Sequence, residues 1–485
     1  MLDFIKKCEE NREHIFIIEP FTQRTVTYGQ LLNCCMILKD ELTQMGVSKG
    51  DRIVLSFRNE IEYVISYFSV LCLGAIPVPV NPDVKSTEIQ SIVSDTLASI
   101  ILTRSREEEK SHSLSSLVHY VEMESFLNRE RHAEDTINTE FEYSETAAIM
   151  YTSGTTGKPK GVVLKLKAVL NGFREFGEDF DFDANTRIIQ PMPVYHADGW
   201  CFSTLLPFLF GSTVILAPDF GTYVALNFDK LVCDFKGNTM ICVPSMLSLL
   251  IAVKDRFDDK IKGMLKHVLC GSARLDPEIL FRFEAEYNTK VYDNYGLTET
   301  LLIAYYSPKI EYRCGSVGKI PKNREVCIAE DGEILVSSEF LFGGYYNNTI
   351  STSKVYDGKW FYTGDTGYID EDNYLYLTGR KKEIINKGGI KVYPNEVSET
   401  ILRYPGIIDV ATIGFEDEMY GEEIYSFVVS SPDVDISEEK VLSYVKQNIS
   451  QLKCPKKIIF IDIIPKNELG KVNYKVLQEK LKQVL

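Results

Sequence analysis

No run of apolar residues in this chain is long and uninterrupted enough to suggest a membrane span. The longest, Val64 to Val80, is broken by Ser66, Ser69, Gly74, Pro77 and Pro79, and predicts a core helix followed by a strand. The start, Met1-Leu-Asp-Phe-Ile-Lys-Lys, lacks a basic segment leading into a long apolar one, so no secretory signal is expected. Paired Cys-x-x-Cys spacing is missing as well. The eleven cysteines are odd in number and scattered, unlike a disulfide framework, and a reducing cytoplasm is the expectation. Cys34-Cys35, on a predicted amphipathic helix, reads as packing. Excess basic charge is absent: a net charge of -16 opposes non-specific binding to nucleic acid, although local lysines can still hold phosphates. Low-complexity tracts and internal repeats are also absent.

The 485 residues present are too many for one ordinary core, so at least two domains are expected. Helical spacing from Leu31 to Met45 and from Ile61 to Leu73 alternates with strand-like runs at 52–57, 75–80 and 99–102. A second alternating region spans about 187–295, with strands near 213–216, 239–242 and 267–269. Together they predict an α/β fold of doubly wound sheets. Shorter strands with Gly/Asp turns, at 331–337 and 375–377, suggest a β-rich subdomain. From Lys382 onward, strands at 410–413, 425–429 and 457–461 and helices at 394–403 and 437–452 predict a small α+β domain. The charged, glycine-free segment 104–143 reads as surface connection.

The run Tyr151-Thr-Ser-Gly-Thr-Thr-Gly-Lys-Pro-Lys-Gly-Val162 concentrates hydroxyls, glycines and lysines after a predicted buried strand, 146–151. It is expected to leave a sheet edge and to hold a polyphosphate. Gly154, Gly157 and Gly161 let backbone approach an anion, while Thr152, Ser153, Thr155 and Thr156 offer donors and Lys158 and Lys160 supply charge. A P-loop does not fit, because Gly157-Lys158 is followed by Pro159 and Thr152 stands where the first glycine is required.

Further motifs follow in order: Asn294-Tyr-Gly-Leu-Thr-Glu-Thr300, Phe361-Tyr-Thr-Gly-Asp365, Gly379-Arg-Lys-Lys-Glu-Ile-Ile385 with Lys387-Gly-Gly389, and Pro465-Lys-Asn-Glu-Leu-Gly-Lys471. Across essentially the whole chain this series resembles the adenylate-forming superfamily of acyl-CoA synthetases, luciferases and peptide-synthetase adenylation domains. The resemblance implies an N-terminal AMP-binding domain, 1–380, and a mobile C-terminal domain, 381–485. It implies an acid-thiol ligase that uses ATP and Mg²⁺ to make an acyl-adenylate, then passes the acyl group to CoA. Three alternatives stay open: delivery to the phosphopantetheine of a separate carrier protein, luciferase-like oxidation, and a catalytically silent nucleotide binder.

By the same resemblance, Thr152 to Lys158 and Lys160 grip the β and γ phosphates, Thr298 contacts the α-phosphate, and Glu299 is the Mg²⁺ ligand. Gly271, Ser272 and Ala273, and Asp293, Asn294 and Tyr295, surround the adenine, with Tyr295 as stacking surface, and Gly296 is a further nucleotide-binding residue. Asp365, expected in a turn, accepts from the ribose hydroxyls, assisted by Arg380. Lys471 stabilises charge during adenylation. Lys382 is the hinge, and Gly388 and Gly389 leave room for a pantetheine arm. His196 gates the acyl site. Ala197 stands where amino-acid-activating relatives carry aspartate, which favours an acid without an α-amino group and leaves Asp198 open to a polar contact. A largely apolar pocket around Trp200, 243–245, 271–273 and 301–303 points to a medium-chain fatty acid or an aryl acid.

Overall fold

The computed structural model describes residues 3–104, 117–121, 125–126, 143–152, 159–431, 434, 436–466 and 471–485. Contacts divide them into two compact units: 1–312 with 321–324 and 337–361, and 313–320 with 325–336 and 362–485.

In the first unit one sheet has eight strands in the order Leu301–Tyr305, Val291–Leu297, His267–Cys270, Thr239–Cys242, Arg187–Gln190, Thr213–Leu216, Ile15–Glu19, Arg24–Thr27. The inner strands pair in parallel, and antiparallel strands close both edges. Inner strands such as Thr213–Leu216 are buried throughout, as strands covered on both faces must be. A second, all-parallel sheet runs Ile76–Val80, Arg52–Ser56, Ile100–Thr103, Val118–Tyr120.

The apolar stretch from Val64 resolves into a core helix and a strand. Every residue of the helix Ile61–Cys72 is buried, and Ile76–Val80 follows. That helix carries Glu62 into the interior, where Arg24 lies 2.6 Å from it and 2.6 Å from Glu19. Glu19 also accepts the Ile61 N–H at 2.7 Å. The buried carboxylates are therefore paired, the condition on which such burial is tolerated. Cys34 and Cys35 are buried on the helix Tyr28–Gln44, and all eleven cysteines are free thiols. Among the described residues no helix is long and apolar enough to cross a membrane.

The expected buried strand is present as Thr146–Thr152, which pairs antiparallel with Lys160–Lys165 and packs beside Ile76–Val80. The loop of hydroxyls and glycines thus connects two strands of a hairpin, because Gly161-Val-Val-Leu164 continues as strand where a doubly wound unit would start a helix.

In the second unit four strands, Arg324–Ile328, Glu333–Ser338, Phe361–Ile369 and Leu375–Arg380, form one sheet. A five-stranded sheet is built around Gly421–Ser430, flanked by Ile407–Asp417 and Lys457–Phe460. Alternation along Gly421–Ser430 fills two cores. Ile424 and Val428 pack with Val397, Ile401, Val441 and Val445 of the helices Pro394–Leu402 and Glu438–Asn448, whereas Tyr425 and Phe427 pack with Leu477 and Leu481 of the helix Tyr474–Val484.

Candidate active site

Thr152 and Lys160 face each other as the last pair of the hairpin. Ser153, Gly154, Thr155, Thr156, Gly157 and Lys158 lie outside the described residues. Against the hairpin lies the segment Phe342 to Tyr346. Gly343 donates its N–H to Val163 O (2.7 Å), Val163 to Gly344 O (3.1 Å), and Tyr346 to Gly161 O (2.7 Å). This places the Lys160 ammonium 5.0 Å from the centre of the Tyr345 ring. The Tyr345 hydroxyl donates to Glu299 Oε1 at 2.8 Å, and the Phe342 N–H donates to the Glu299 carbonyl at 2.8 Å. Burial first, then the Glu299 charge, raises the Tyr345 phenol far above its ordinary range, so it stays a donor. Sequence reasoning missed Tyr345. The available signal was the Phe-Gly-Gly-Tyr-Tyr run, whose glycines let it lie flat on the hairpin: a Cβ on Gly343 would meet Val163 at 3.1 Å.

Thr298 and Glu299 occupy the turn between Val291–Leu297 and Leu301–Tyr305. The turn is tight: a Cβ on Gly296 would lie 2.2 Å from Leu301 O, and Leu301 itself adopts φ +54°. Thr300, inside it, accepts the Leu297 N–H (3.1 Å) and donates to Leu301 O (2.9 Å). A non-glycine residue in the left-handed region stores strain of a kind that clusters at functional sites. Ser272, at φ +63°, is a second one, and its hydroxyl donates to the Asp198 carboxylate.

Gly271, Ser272 and Ala273 follow the strand His267–Cys270. Asn294 donates to Cys270 O at 2.8 Å, and a Cβ on Gly271 would lie 2.5 Å from Asn294 Oδ1, so the two segments touch only because Gly271 has no side chain. Along Val291–Leu297, Tyr295 is 8% exposed and shares its buried face with Asp293, while Asn294 and Gly296 lie on the more open face. Burial pushes the Asp293 carboxyl up to about 8, against the lowering effects of the Asn294 N–H and Arg274. Between its unfolded value and pH 8 the folded chain therefore holds a proton that the unfolded chain has lost, and stability falls as pH rises, by about 1.4 kcal/mol per unit. Asp293→Asn removes this slope. The difference in unfolding free energy between variant and wild type, followed from pH 5 to 8, should move steadily in favour of the variant.

His196 precedes the helix Ala197–Ser203, its carbonyl accepting the Trp200 N–H at 2.8 Å. Trp200 is 1% exposed, with ring centres of Phe173 and Tyr67 at 5.7 and 6.1 Å. The indole is thus already packed against two other rings. Asp198 is taken up by Ser272, so it ties the segment after His196 to Gly271-Ser-Ala273.

In the second unit Asp365 lies inside the strand Phe361–Ile369, which corrects the expected turn. The Thr363-Gly364 irregularity is absorbed within the strand: Gly364 takes φ +73°, while Thr363 Oγ1 donates to Ile334 O (2.8 Å) and accepts the Asp365 N–H (3.1 Å). Asp365 pairs in register with Arg380, whose Nε is 3.1 Å from Oδ1. Lys381 bridges Asp331 (2.5 Å) and Glu333 (2.7 Å), and Lys382 is exposed. Gly388 and Gly389 form the turn between Ile385–Lys387 and Ile390–Val392, at φ +57° and +86°, with the Gly388 N–H donating to Tyr420 O at 2.8 Å. Lys471 is exposed just before the last helix.

Among the described residues no three His, Cys, Asp or Glu side chains gather into a metal cage. Glu299 belongs to no such group, which fits Mg²⁺, an ion that keeps waters and substrate phosphates and takes only one or two protein carboxylates.

A lysine and a single carboxylate set about one tyrosine suit an enzyme that works on a Mg²⁺-bound nucleotide. The chain belongs to the AMP-binding enzyme family, whose model matches residues 4–346, with the AMP-binding enzyme C-terminal domain matching residues 396–471. It is 30% identical to the long-chain-fatty-acid–CoA ligase FadD13 of Mycobacterium tuberculosis, over 96% of this chain and 94% of that one. Its fold matches ATP-bound MatB from Rhodopseudomonas palustris with TM-score 0.90 at 23% identity, covering 99% of both chains. It also matches o-succinylbenzoate CoA synthetase (MenE) from Bacillus subtilis in complex with ATP and magnesium, with TM-score 0.84 at 24% identity, covering 99% of this chain and 98% of that one. The chain is an AMP-forming ligase of the acyl-CoA synthetase class.

Proposed function

We propose that this enzyme activates a fatty or aryl carboxylic acid and delivers the acyl group to CoA. In the first step a carboxylate oxygen attacks the α-phosphorus of ATP and pyrophosphate leaves. In the second a thiol sulfur attacks the acyl carbonyl and AMP leaves. The observation that carries this reading is the Lys160, Tyr345, Glu299 arrangement, which joins the foot of the phosphate hairpin to the Thr-Glu turn.

Each residue has a task its chemistry suits. Lys160 and Thr152, with the loop they bound, neutralise and orient phosphates. Glu299, held by Tyr345, would hold Mg²⁺, which would screen phosphate charge, and Thr298 beside it donates to the α-phosphate. Gly271 to Ala273 and Asn294 to Gly296 line the base, and Asp365 with Arg380 takes the ribose hydroxyls. His196 borders the acid, with the buried Trp200 and Phe173 as its apolar background. Lys471 serves the first step. Rotation at Lys382 then withdraws it and presents Gly388 and Gly389 for the second.

The reading is tested by ATP-dependent pyrophosphate release, with hydroxylamine trapping, across short, medium and long fatty acids, aryl acids and amino acids, followed by product analysis with CoA. The expected result is turnover with a fatty or aryl acid and an acyl-CoA product. Adenylation without an acyl-CoA product would transfer the acceptor role to a carrier-protein phosphopantetheine, and adenylation of amino acids alone would overturn the acid class.

A further inference from the structure

The turn that carries Gly388 and Gly389 has little of its own to hold it. Both residues lack a side chain and take positive φ, as a two-residue hairpin turn between Ile385–Lys387 and Ile390–Val392 requires. Among the described residues no atom beyond the chain neighbours lies within 4 Å of where a Cβ on Gly389 would stand. The anchors are therefore beside the turn. The Gly388 N–H donates to Tyr420 O at 2.8 Å, Lys387 pairs with Gly421 at the start of Gly421–Ser430, and the Asn386 N–H donates to Glu422 Oε2 at 2.7 Å.

Lys387, the last residue before the turn, buries its long side chain. Its ammonium pairs with the Glu423 carboxylate and donates to Cys454 O at 3.4 Å, with the Tyr420 ring centre 5.7 Å away. Glu423 in turn accepts the Ile424 N–H at 2.9 Å. The Lys387 and Glu423 side chains are only 11% and 6% exposed. Burying two charges returns little net stability, and an apolar pair of similar volume commonly does as well or better, so stability does not account for the pair. What an ion pair adds is geometry. Its charges stay satisfied at one separation, so the end of the short strand Ile385–Lys387 is held in a single register against Gly421–Ser430.

We propose that Lys387 and Glu423 are a positioning pair that fixes the Gly388–Gly389 turn for thioester formation. This extends the reading of that turn as the one presented to the thiol, on which it rests, to two residues that touch no substrate. Their task falls in the second half-reaction, since phosphates, base and ribose are assigned to other residues.

The test separates the two half-reactions in the full-length enzyme. The double variant Lys387→Met, Glu423→Leu removes both charges together and leaves neither buried alone, so its melting temperature should match the wild type. ATP–pyrophosphate exchange should be unchanged. Thioester formation from preformed acyl-adenylate and CoA should fall roughly tenfold, the scale of one charge-assisted hydrogen bond, and the KM for CoA should rise. Glu423→Gln keeps an acceptor for the ammonium and should lie between the double variant and the wild type. A double variant that forms thioester at the wild-type rate would overturn the proposal, and so would a parallel fall in both half-reactions, which a general loosening of the small sheet would produce. Should the double variant fail to fold, Glu423→Gln decides: a thioester rate equal to the wild type sinks the pair. The turn is checked separately by Gly389→Leu. Thioester formation surviving a side chain there would remove the underlying reading and this proposal with it, whereas loss there with normal thioester formation in the double variant would remove the positioning pair alone.

Discussion

Lys471→Ala should lose ATP–pyrophosphate exchange by roughly 10²- to 10³-fold, the cost of removing one donor aimed at charge that develops in the transition state. Binding of ATP, measured by calorimetry or nucleotide-dependent thermal shift, should persist, because the phosphates, base and ribose are assigned to other residues. The two halves of the reaction should also part company. Once acyl-adenylate is supplied, thioester formation should continue at a rate close to wild type, since the lysine is assigned to the first step and Gly388-Gly389 to the second. Equal losses in both steps would contradict that division and the rotation at Lys382 that it needs. An unimpaired exchange rate would return Lys471 to what Leu-Gly-Lys most often is, an exposed turn. Should the wild type itself adenylate no acid, the intact motifs would belong to a nucleotide binder.

The alternation of apolar helices and strands was legible because inner strands such as Thr213–Leu216 are short buried runs and helices such as Tyr28–Gln44 carry a buried stripe. The helix Ile61–Cys72 and the strand Ile76–Val80 were readable from the prolines and glycine between Val64 and Val80. Two local conformations were not. Thr146–Thr152 has the composition of a buried strand, and nothing within it says that its partner is the segment on the far side of the loop, where Val162 stands opposite Met150 and Leu164 opposite Ala148, all four buried. Asp365 was read as a turn residue because Thr-Gly-Asp is turn chemistry, yet the register shift between Thr366 and Gly367 lets the irregularity be absorbed in a strand. Most of the candidate site could be named from motifs, since each is a compact run of polar residues. Tyr345 could not, because it acts through a contact with Glu299 that spans 46 residues.

Glu299→Gln should lower exchange roughly a hundredfold and raise the Mg²⁺ concentration needed for half-maximal rate. The substitution keeps the size of the side chain and an oxygen that accepts from Tyr345, so the turn between Val291–Leu297 and Leu301–Tyr305 has no reason to reopen and the melting temperature should hold. What changes is charge: a hard cation loses its anionic protein ligand and is left to phosphates and water. Tyr345→Phe separates orientation from charge. It leaves the carboxylate in place without its 2.8 Å donor, so the loss should be smaller, about the several-fold cost of one hydrogen bond, and the Mg²⁺ requirement should rise only slightly. The ordering of the two variants is the informative result. If Glu299→Gln left the Mg²⁺ dependence untouched while slowing the reaction, the carboxylate would be holding the turn or Tyr345 and the metal would be bound elsewhere; if Tyr345→Phe were the slower of the two, the phenol would be acting on the phosphates directly, alongside the Lys160 ammonium that lies over its ring.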